Sequence, residues 1–504
     1  MAESRVTTFM NDPLTYFDGS VTKMHTIPRA ELAELQRTAM AQRFAEHRDR
    51  IEVVRKLADR LGVRELRETN DVVPLLFPHT VFKSYPASLL DKKRFDLMTK
   101  WLGKVTVHDL SQVDTRGCES IDEWIDRLDA RTPLEVITSS GTTGTLSIIP
   151  KDKAGADYTM KLWRRFLFQT FGQEPAPGAA EPVVDVIWPN HASGKLGHLR
   201  MAAMLRRQFT GGDESRFHAL YSDAISTDLM FLASKMRAAA SRGELDRLEI
   251  DPKLVARKDE FIAMQARRPQ EMAEFFARLT RELAGKRVFM IGAYNLMHEV
   301  AVAGLARGMR RVFAPDSAIL TGGGMKGFVL PPDYMETIQE FLGVDRIQEG
   351  YGMSETSTLN WACDEGRYHV QPWIVPFVLD PTTSEPMPRT GIRTGRAAFY
   401  DVYVQPHWGG VISGDEITID WDTPCPCGRT SVHIAHDIVR YSEKQGVEDD
   451  RISCSATQQV NDEAVDFLED EMSNELKDNL KVVDSLRLSH STAIRATSGR
   501  GCSA

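Results

Sequence analysis

Apolar residues recur at helical spacing through "IPRAELAELQRTAMAQRFAEHRDRIEVVRKLADRLGV", which starts at Ile27, with Pro28 near its beginning and Gly62 near its end. Those boundary residues predict one long helix or two in succession. In "RTPLEVITSS" the pattern changes to a short strand-like run, and "EPVVDVIWPN" supplies a second strand that Pro189 and Asn190 are expected to stop. Residues 221 to 310 alternate helical stretches with the short run "KRVFMIGAY", and "DSAILTGGGMKG" again runs a strand into glycines. This is the texture of an α/β fold. From about Val370, "WIVPFVLD", "AAFYDVYVQ" and "VISGDEITIDWD" are short strands divided by Pro, Gly and Asp, which predicts a β-rich subdomain. An acidic helix, "NDEAVDFLEDEMSNELKDNLKVV", and a polar tail expected to be disordered close the sequence, and no internal repeat is visible.

At 504 residues the chain exceeds one ordinary domain, and its 42% hydrophobic and 26% charged residues are those of a soluble globular protein. A net charge of −9 carries no electrostatic footprint for nucleic acid, so an anionic substrate would need locally gathered positive charge. Six cysteines, irregularly spaced, argue against a secreted disulfide framework. The first twenty residues have no apolar core of signal-peptide type, and no run approaches the roughly 18 apolar residues of a membrane span. The expectation is a cytoplasmic protein.

The segment with most chemistry is "EVITSSGTTGTLSIIPKDK", residues 135 to 153. A loop of small residues after a strand lets backbone N–H groups converge on an anion, and Ser or Thr hydroxyls add donors to phosphate oxygens. No G-x-x-x-x-G-K-[ST] passes through Gly141 and Gly144, so this is not a Walker A loop, and a plain hairpin turn is the competing reading.

The order Ser140-Gly141-Thr142-Thr143-Gly144 resembles the phosphate loop of the adenylate-forming superfamily of acyl-CoA synthetases and related ligases. "EGYGMSET" is similar to that family's second signature and supplies Tyr351, Gly352, Ser354 and Glu355. Between them, "LTGGGMKG" stands where such enzymes carry a glycine-rich segment, and "VISGDEITI" matches the Gly-Asp pair at Gly414 and Asp415. "TPCPCGRTSVHIAHDIVRYSEKQG" looks like the Cys-x-Cys-Gly-Arg-Thr stretch of the phenylacetate-CoA ligase branch, and "IPRAELAELQ" resembles that branch's N-terminal helix. The resemblance covers roughly residues 27 to 455.

The resemblance implies ATP-dependent activation of a small-molecule carboxylic acid as an acyl-adenylate, with release of pyrophosphate and then transfer to a thiol such as CoA. Ser140, Thr142 and Thr143 with the amides of Gly141 and Gly144 would hold the phosphates. Gly323 and Gly324 would lie against the adenine and the acyl group, Tyr351 and Gly352 by the adenine, Ser354 on the α-phosphate, and Glu355 on Mg²⁺. Thr143, Ser354 and Glu355 would carry the catalysis. Asp415 and Arg440 would take the ribose, with Ser442 and Glu443 at a hinge, or Asp449 and Asp450 in a shifted register. His191 and Tyr294, with Gly324, would line the acyl pocket. A surface histidine and core packing are the plain alternatives for His191 and Tyr294.

The implied organisation is a helical N-terminal segment over 1–85, an adenylation core over 86–440 whose β-rich part spans about 370–440, a reduced α+β C-terminal domain over 441–488, and a disordered tail over 489–504. Three departures stand out. The phosphate loop continues as Thr145, Leu146 and Ser147, with the first lysine at Lys151, which is the style of acyl-protein synthetases. No segment like the family's catalytic-lysine motif follows the hinge, where Lys477 and Lys481 sit on the acidic helix. Cys502 in the tail could accept an acyl group, as a terminal-region cysteine does in acyl-protein synthetases. An acceptor protein in place of CoA, or a degenerate nucleotide-binding or acyl-binding protein without activity, are the alternatives. The oligomeric state is left open, a dimer included. Cys425 and Cys427 with Cys363 and His369 have the donor chemistry of zinc, although C-x-C is tighter than the usual C-x₂-C knuckle.

Overall fold

The structure is a computed structural model that describes residues 2–139, 145–170, 182–241, 243, 252–322 and 329–445. The expected N-terminal helix is two in succession, Arg29–Arg50 and Glu52–Leu61, broken where Ile51 turns to extended dihedrals and closed by Gly62 at φ 69°. The first of these buries Leu35, Ala39, Met40 and Phe44 and is tied down through polar side chains. Arg43 donates to the Val402 carbonyl at 2.9 Å, and Gln36 to the Pro372 carbonyl at 2.7 Å. Buried donors of this kind must be paired, so these bonds fix where the helix lies on the β-rich region.

The strands, in chain order, are β1 (Phe77–Pro78), β2 (Leu134–Thr138), β3 (Ile148–Asp152), β4 (Asp185–Ser193), β5 (Phe217–Ala224), β6 (Val288–Ile291), β7 (Ala318–Gly322) and β8 (Gln348–Tyr351). They continue with β9 (Asn360–Ala362), β10 (Tyr368–His369), β11 (Ile374–Leu379), β12 (Ile392–Asp401), β13 (Gly410–Asp420), β14 (His433–Ile434) and β15 (Val439–Arg440). Among the described residues one mixed sheet runs β11-β12-β13-β14-β10-β9-β8-β7-β6-β4-β5, with β1 and β15 added on β13. Strands β5, β4, β6, β7 and β8 are parallel, and from β8 to β9 the sheet turns antiparallel. The fold is therefore α/β, and the β-rich part continues the same sheet.

Helices Pro252–Glu282, Tyr294–Leu305 and Tyr334–Leu342 cover part of the parallel half with a core that includes Phe275, Phe276, Phe313 and Phe341. A larger core extends from Phe9 to Ile434 and includes Trp124, Trp361 and Trp373. Strand β11 tolerates Pro376 because it is the sheet's edge, where a missing N–H costs no ladder bond.

One boundary differs from expectation. Strand β4 does not stop at Pro189 and Asn190 but runs to Ser193. It pairs with β6 only through Ile187, and its register on β5 shifts between Trp188 and His191. The proline's missing donor thus falls at an irregularity and the strand survives it. The sequence's C-terminal helix, the reduced domain after residue 445, Lys477, Lys481, Cys502 and the tail lie outside the described residues.

Candidate functional site

In an open parallel sheet, loops at the carboxyl ends of the strands form the binding crevice. Three of the residues singled out in the sequence lie at or near those ends. His191 lies near the end of β4, Tyr294 just beyond β6, and Tyr351 closes β8. Gly323 and Gly324, next in sequence after β7, lie outside the described residues, and so do Ser140, Gly141, Thr142, Thr143 and Gly144. The latter five join β2 to β3, which pair antiparallel from Thr138–Ile148 to Leu134–Asp152. At the base of that hairpin Ser139 N–H donates to the Ser147 carbonyl at 3.1 Å, and Ser147 N–H donates to Ser139 Oγ at 2.9 Å. Thr138 also bridges Leu196, just before helix Gly197–Phe209. A Cβ on Gly197 would come within 3.9 Å of Ser354 Oγ. The serine-rich hairpin and the Tyr-Gly-Met-Ser-Glu turn therefore share one neighbourhood.

One wall of this neighbourhood is built on β13. Tyr351 Oη donates to Asp415 Oδ2 at 3.0 Å, and Ser413 Oγ donates to the same oxygen at 2.7 Å. Arg440, opposite Asp415 in the β13–β15 register, brings Nε to 3.4 Å from Asp415 Oδ1. Three residues distant in sequence are thus joined at one carboxylate. Burial and the Asp415 charge push the Tyr351 hydroxyl well above its ordinary range, so it stays a neutral donor. A Cβ on Gly352 would lie 2.7 Å from Leu359 Cδ2 and 3.2 Å from the Thr358 carbonyl oxygen, so a larger residue would have to push the Leu359 side chain aside and crowd the backbone where the chain leaves β8.

The other wall is the turn itself. Ser354 is exposed and Glu355 half-buried. Burial pushes the Glu355 carboxyl up, while the charges of Lys151, Lys83 and Arg440 pull it back. Lys151, on β3, donates to the Thr356 carbonyl at 2.8 Å, and burial brings its ammonium down to about 8. The buried Asp401 accepts from Ser357 N–H at 2.7 Å and Tyr403 N–H at 3.0 Å. Burial raises its carboxyl also. Thr159 Oγ1 completes the clamp by donating to the Ser357 carbonyl at 2.7 Å.

A cavity of about 570 Å³ opens beside this turn, lined by residues that include Lys151, Trp163, His198, Met201, Ser354 and Tyr403. It is large enough for a small organic ligand. Lys151 and Asp401 received no role in the sequence reading. The Pro150-Lys151 pair, displaced along the chain from the glycines, was the available signal for the first; the second had none.

His191 and Tyr294 are not among the residues lining that cavity. His191 is buried, with Nδ1 3.1 Å from Asp223 Oδ1 and its ring 4.6 Å from that of Tyr221. The Tyr294 hydroxyl donates to Glu349, whose other oxygen is 2.8 Å from His436 Nε2 and 3.3 Å from the Tyr368 hydroxyl.

A half-buried carboxylate on a turn, a half-buried lysine behind it and a preassembled tyrosine, aspartate and arginine form a candidate site with separate polar subsites. The fold is shared with 2-hydroxyisobutyryl-CoA ligase. Its open conformation in complex with 2-HIB-AMP and CoA matches 83% of this chain and 71% of that one, at 12% identity and a TM-score of 0.51. Its postadenylation state in complex with R3-HIB-AMP matches 84% and 73%, at 13% identity and a TM-score of 0.50. No family model matches the chain, and neither does any curated protein. No described helix is long and apolar enough to cross a membrane. With its mixed sheet, its helical layers and the turn that closes β8, the chain has the fold of the adenylate-forming acyl-CoA ligases.

Proposed function

We propose that the chain activates a carboxylic acid with ATP, forming an acyl-adenylate and pyrophosphate, and passes the acyl group to CoA. The observation that carries this reading is the meeting of Tyr351, Asp415 and Arg440, the first two 64 residues apart. Asp415 offers a carboxylate to the ribose hydroxyls, Arg440 orients it, and Tyr351 offers a ring face beside it. In the reaction a carboxylate oxygen of the acid attacks the α-phosphorus, and the bond to the bridging oxygen of pyrophosphate breaks with its electron pair. Both partners are anions, so catalysis is largely positioning and charge neutralisation.

This chain's residues divide that task. Ser354 offers a hydroxyl to the α-phosphate, and Lys151 places a cation behind the turn. Ser140, Thr142 and Thr143, with the Gly141 and Gly144 amides, are proposed to hold the departing phosphates, and Gly323 and Gly324 to face the adenine and acyl group. Glu355 has the hard oxygen donor that Mg²⁺ prefers, and neighbouring cations favour its ionised form. The metal would supply further neutralisation of phosphate charge. His191 and Tyr294 are kept as proposed acyl-side residues. We assign residues 1–85, 86–440 and 441–488 to the helical segment, adenylation core and reduced C-terminal domain, and place the protein in the cytoplasm. The phenylacetate-CoA ligase branch is supported by "CPCGRTS" and the segment up to Arg440.

The test is acid-dependent ATP–pyrophosphate exchange across panels of aromatic, hydroxylated and straight-chain carboxylic acids, followed by CoA addition. Exchange with one class and a CoA thioester product support the reading. An acyl adduct on the protein, formed without CoA and labile to hydroxylamine, would favour the acyl-protein alternative. Failure of every acid class with folded, Mg²⁺-supplied protein would favour a nucleotide-binding or acyl-binding role without ligase activity.

A further inference from the structure

Four thiol and imidazole side chains meet where the parallel half of the sheet passes into the antiparallel half. Cys363 follows β9, His369 belongs to β10, and Cys425 and Cys427 lie in the turn between β13 and β14. Their donor atoms all lie within 4.8 Å of one another. Cys363 Sγ is 3.7 Å from Cys425 Sγ, and Cys427 Sγ is 3.3 Å from His369 Nε2. All four cysteines among the described residues are free thiols. A disulfide needs sulfurs about 2.05 Å apart, so the 3.7 Å pair is not one. Tetrahedral zinc with bonds of about 2.3 Å to sulfur and about 2.0 Å to nitrogen sets two sulfurs about 3.8 Å apart and a sulfur and nitrogen about 3.5 Å apart. The 3.7 Å and 3.3 Å spacings are close to those two edges of such a tetrahedron, and the remaining donor pairs lie within 4.8 Å. An iron–sulfur cluster, with several metal ions inside the thiolates, would need a wider ring of donors.

The surroundings fit a metal as well. His369 Nδ1 is 2.8 Å from Ser431 Oγ, which itself is 3.0 Å from His25 Nδ1. A proton on His369 Nδ1 donated to Ser431 leaves the Nε2 lone pair aimed at the thiols, with the serine hydroxyl donating on to His25. Three thiolates, one neutral imidazole and Zn²⁺ carry a net charge of −1, and Arg346 and Arg429 lie close enough to act electrostatically on Cys363 and His369. The close Cys-x-Cys spacing is no obstacle, because Cys425 and Cys427 reach partners 62 and 58 residues away on the β9–β10 hairpin. Turn geometry prepares both ends. Gly366 N–H donates to the Cys363 carbonyl at 2.9 Å, and Gly428 N–H to the Cys425 carbonyl at 3.0 Å.

We propose that Cys363, His369, Cys425 and Cys427 form a closed, structural zinc site that pins the β13–β14 turn to the β9–β10 hairpin. With four protein ligands it has no open position for substrate. It acts on the candidate site at a distance: the same hairpin carries Tyr368, which is hydrogen-bonded to Glu349 and stacked at 5.9 Å on His436.

The experiment is to purify the full chain without chelator, measure bound metal by inductively coupled plasma mass spectrometry, and compare Cys427→Ser with Cys118→Ser. One zinc per wild-type chain, kept by Cys118→Ser and lost by Cys427→Ser, is the expected result. If Cys427→Ser does not fold, the wild-type protein is stripped with a strong chelator instead. Its melting temperature then falls and is restored by buffered Zn²⁺ but not by Mg²⁺, and cobalt loading produces thiolate-to-metal charge-transfer bands. Wild-type protein that holds no zinc and takes none from a zinc buffer overturns the proposal. So does full retention of zinc by folded Cys427→Ser, or a Cys363–Cys425 disulfide in protein handled without reductant.

Discussion

The two walls of the site differ in how much of their hydrogen bonding is already complete. On the β13 wall, Asp415 holds Tyr351, Ser413 and Arg440. On the turn that follows β8, the backbone is clamped by Lys151, Asp401 and Thr159, yet Ser354 is exposed and lines an open cavity, and Glu355 next to it is half-buried. The first wall is already assembled in the chain alone, and under the proposed function its contacts would serve ground state and transition state alike. Under the same proposal, the second would hold charge for a reaction in which phosphate charge moves. Preorganised contacts of the first kind lower KM, and those of the second raise kcat.

Glu355→Ala should separate the walls most sharply. Exchange between ATP and pyrophosphate should fall on the order of 100-fold or more, with an unchanged melting temperature. Wild-type exchange would remove Glu355 from the mechanism. Lys151→Met comes next, with a loss of about tenfold or more in exchange, because a half-buried cation bonded to the turn is hard for water to replace.

The charge on Lys151 also sets an alkaline limb. Its ammonium loses the proton near pH 8, so kcat/KM should decline above that value, and Lys151→Arg should move the limb upward. For stability the sign is opposite. Between about pH 8 and the ordinary lysine value of 10.5 the unfolded chain holds a proton that the folded chain lacks. The burial penalty is therefore fully felt below pH 8 and eases as pH rises through that window. An alkaline limb that Lys151→Arg leaves in place would assign it to another group.

Asp415→Ala should act mainly on binding, raising KM for ATP about tenfold with kcat nearly unchanged, and a change confined to kcat would dissolve the distinction between the walls. The smallest effect is expected for Tyr294→Phe. Glu349 keeps His436 and Tyr368 as partners, so exchange should stay within about threefold of wild type. A large, acid-dependent loss would instead bring Tyr294 to the acyl group.

Much of this arrangement was legible in the chain. Strand-like runs identified β2, β6, β7, β11, β12 and β13, and the helix pair after Ile27 followed from its apolar spacing, Pro28 and Gly62. The strand through Pro189 was misjudged because a proline's cost depends on whether its position needed a ladder bond, and only pairing decides that. Tyr351, Asp415 and Arg440 were picked out by motif, but their shared contact was invisible in one dimension. Lys151 went unassigned because its place relative to the glycines is shifted along the chain.

By itself, then, the sequence determined the kinds of element, their order and the residue types available for chemistry, since periodicity and turn residues act over a few positions. Only the tertiary structure decided that the β-rich part continues the parallel sheet, that Asp415 meets Tyr351 and Arg440, and that three thiols and an imidazole converge at the junction. The lowered Lys151 and raised Glu355 belong to the same class. The physical reason is shared: register and strand order join segments tens of residues apart, and desolvation arises only after those segments have excluded water from between them.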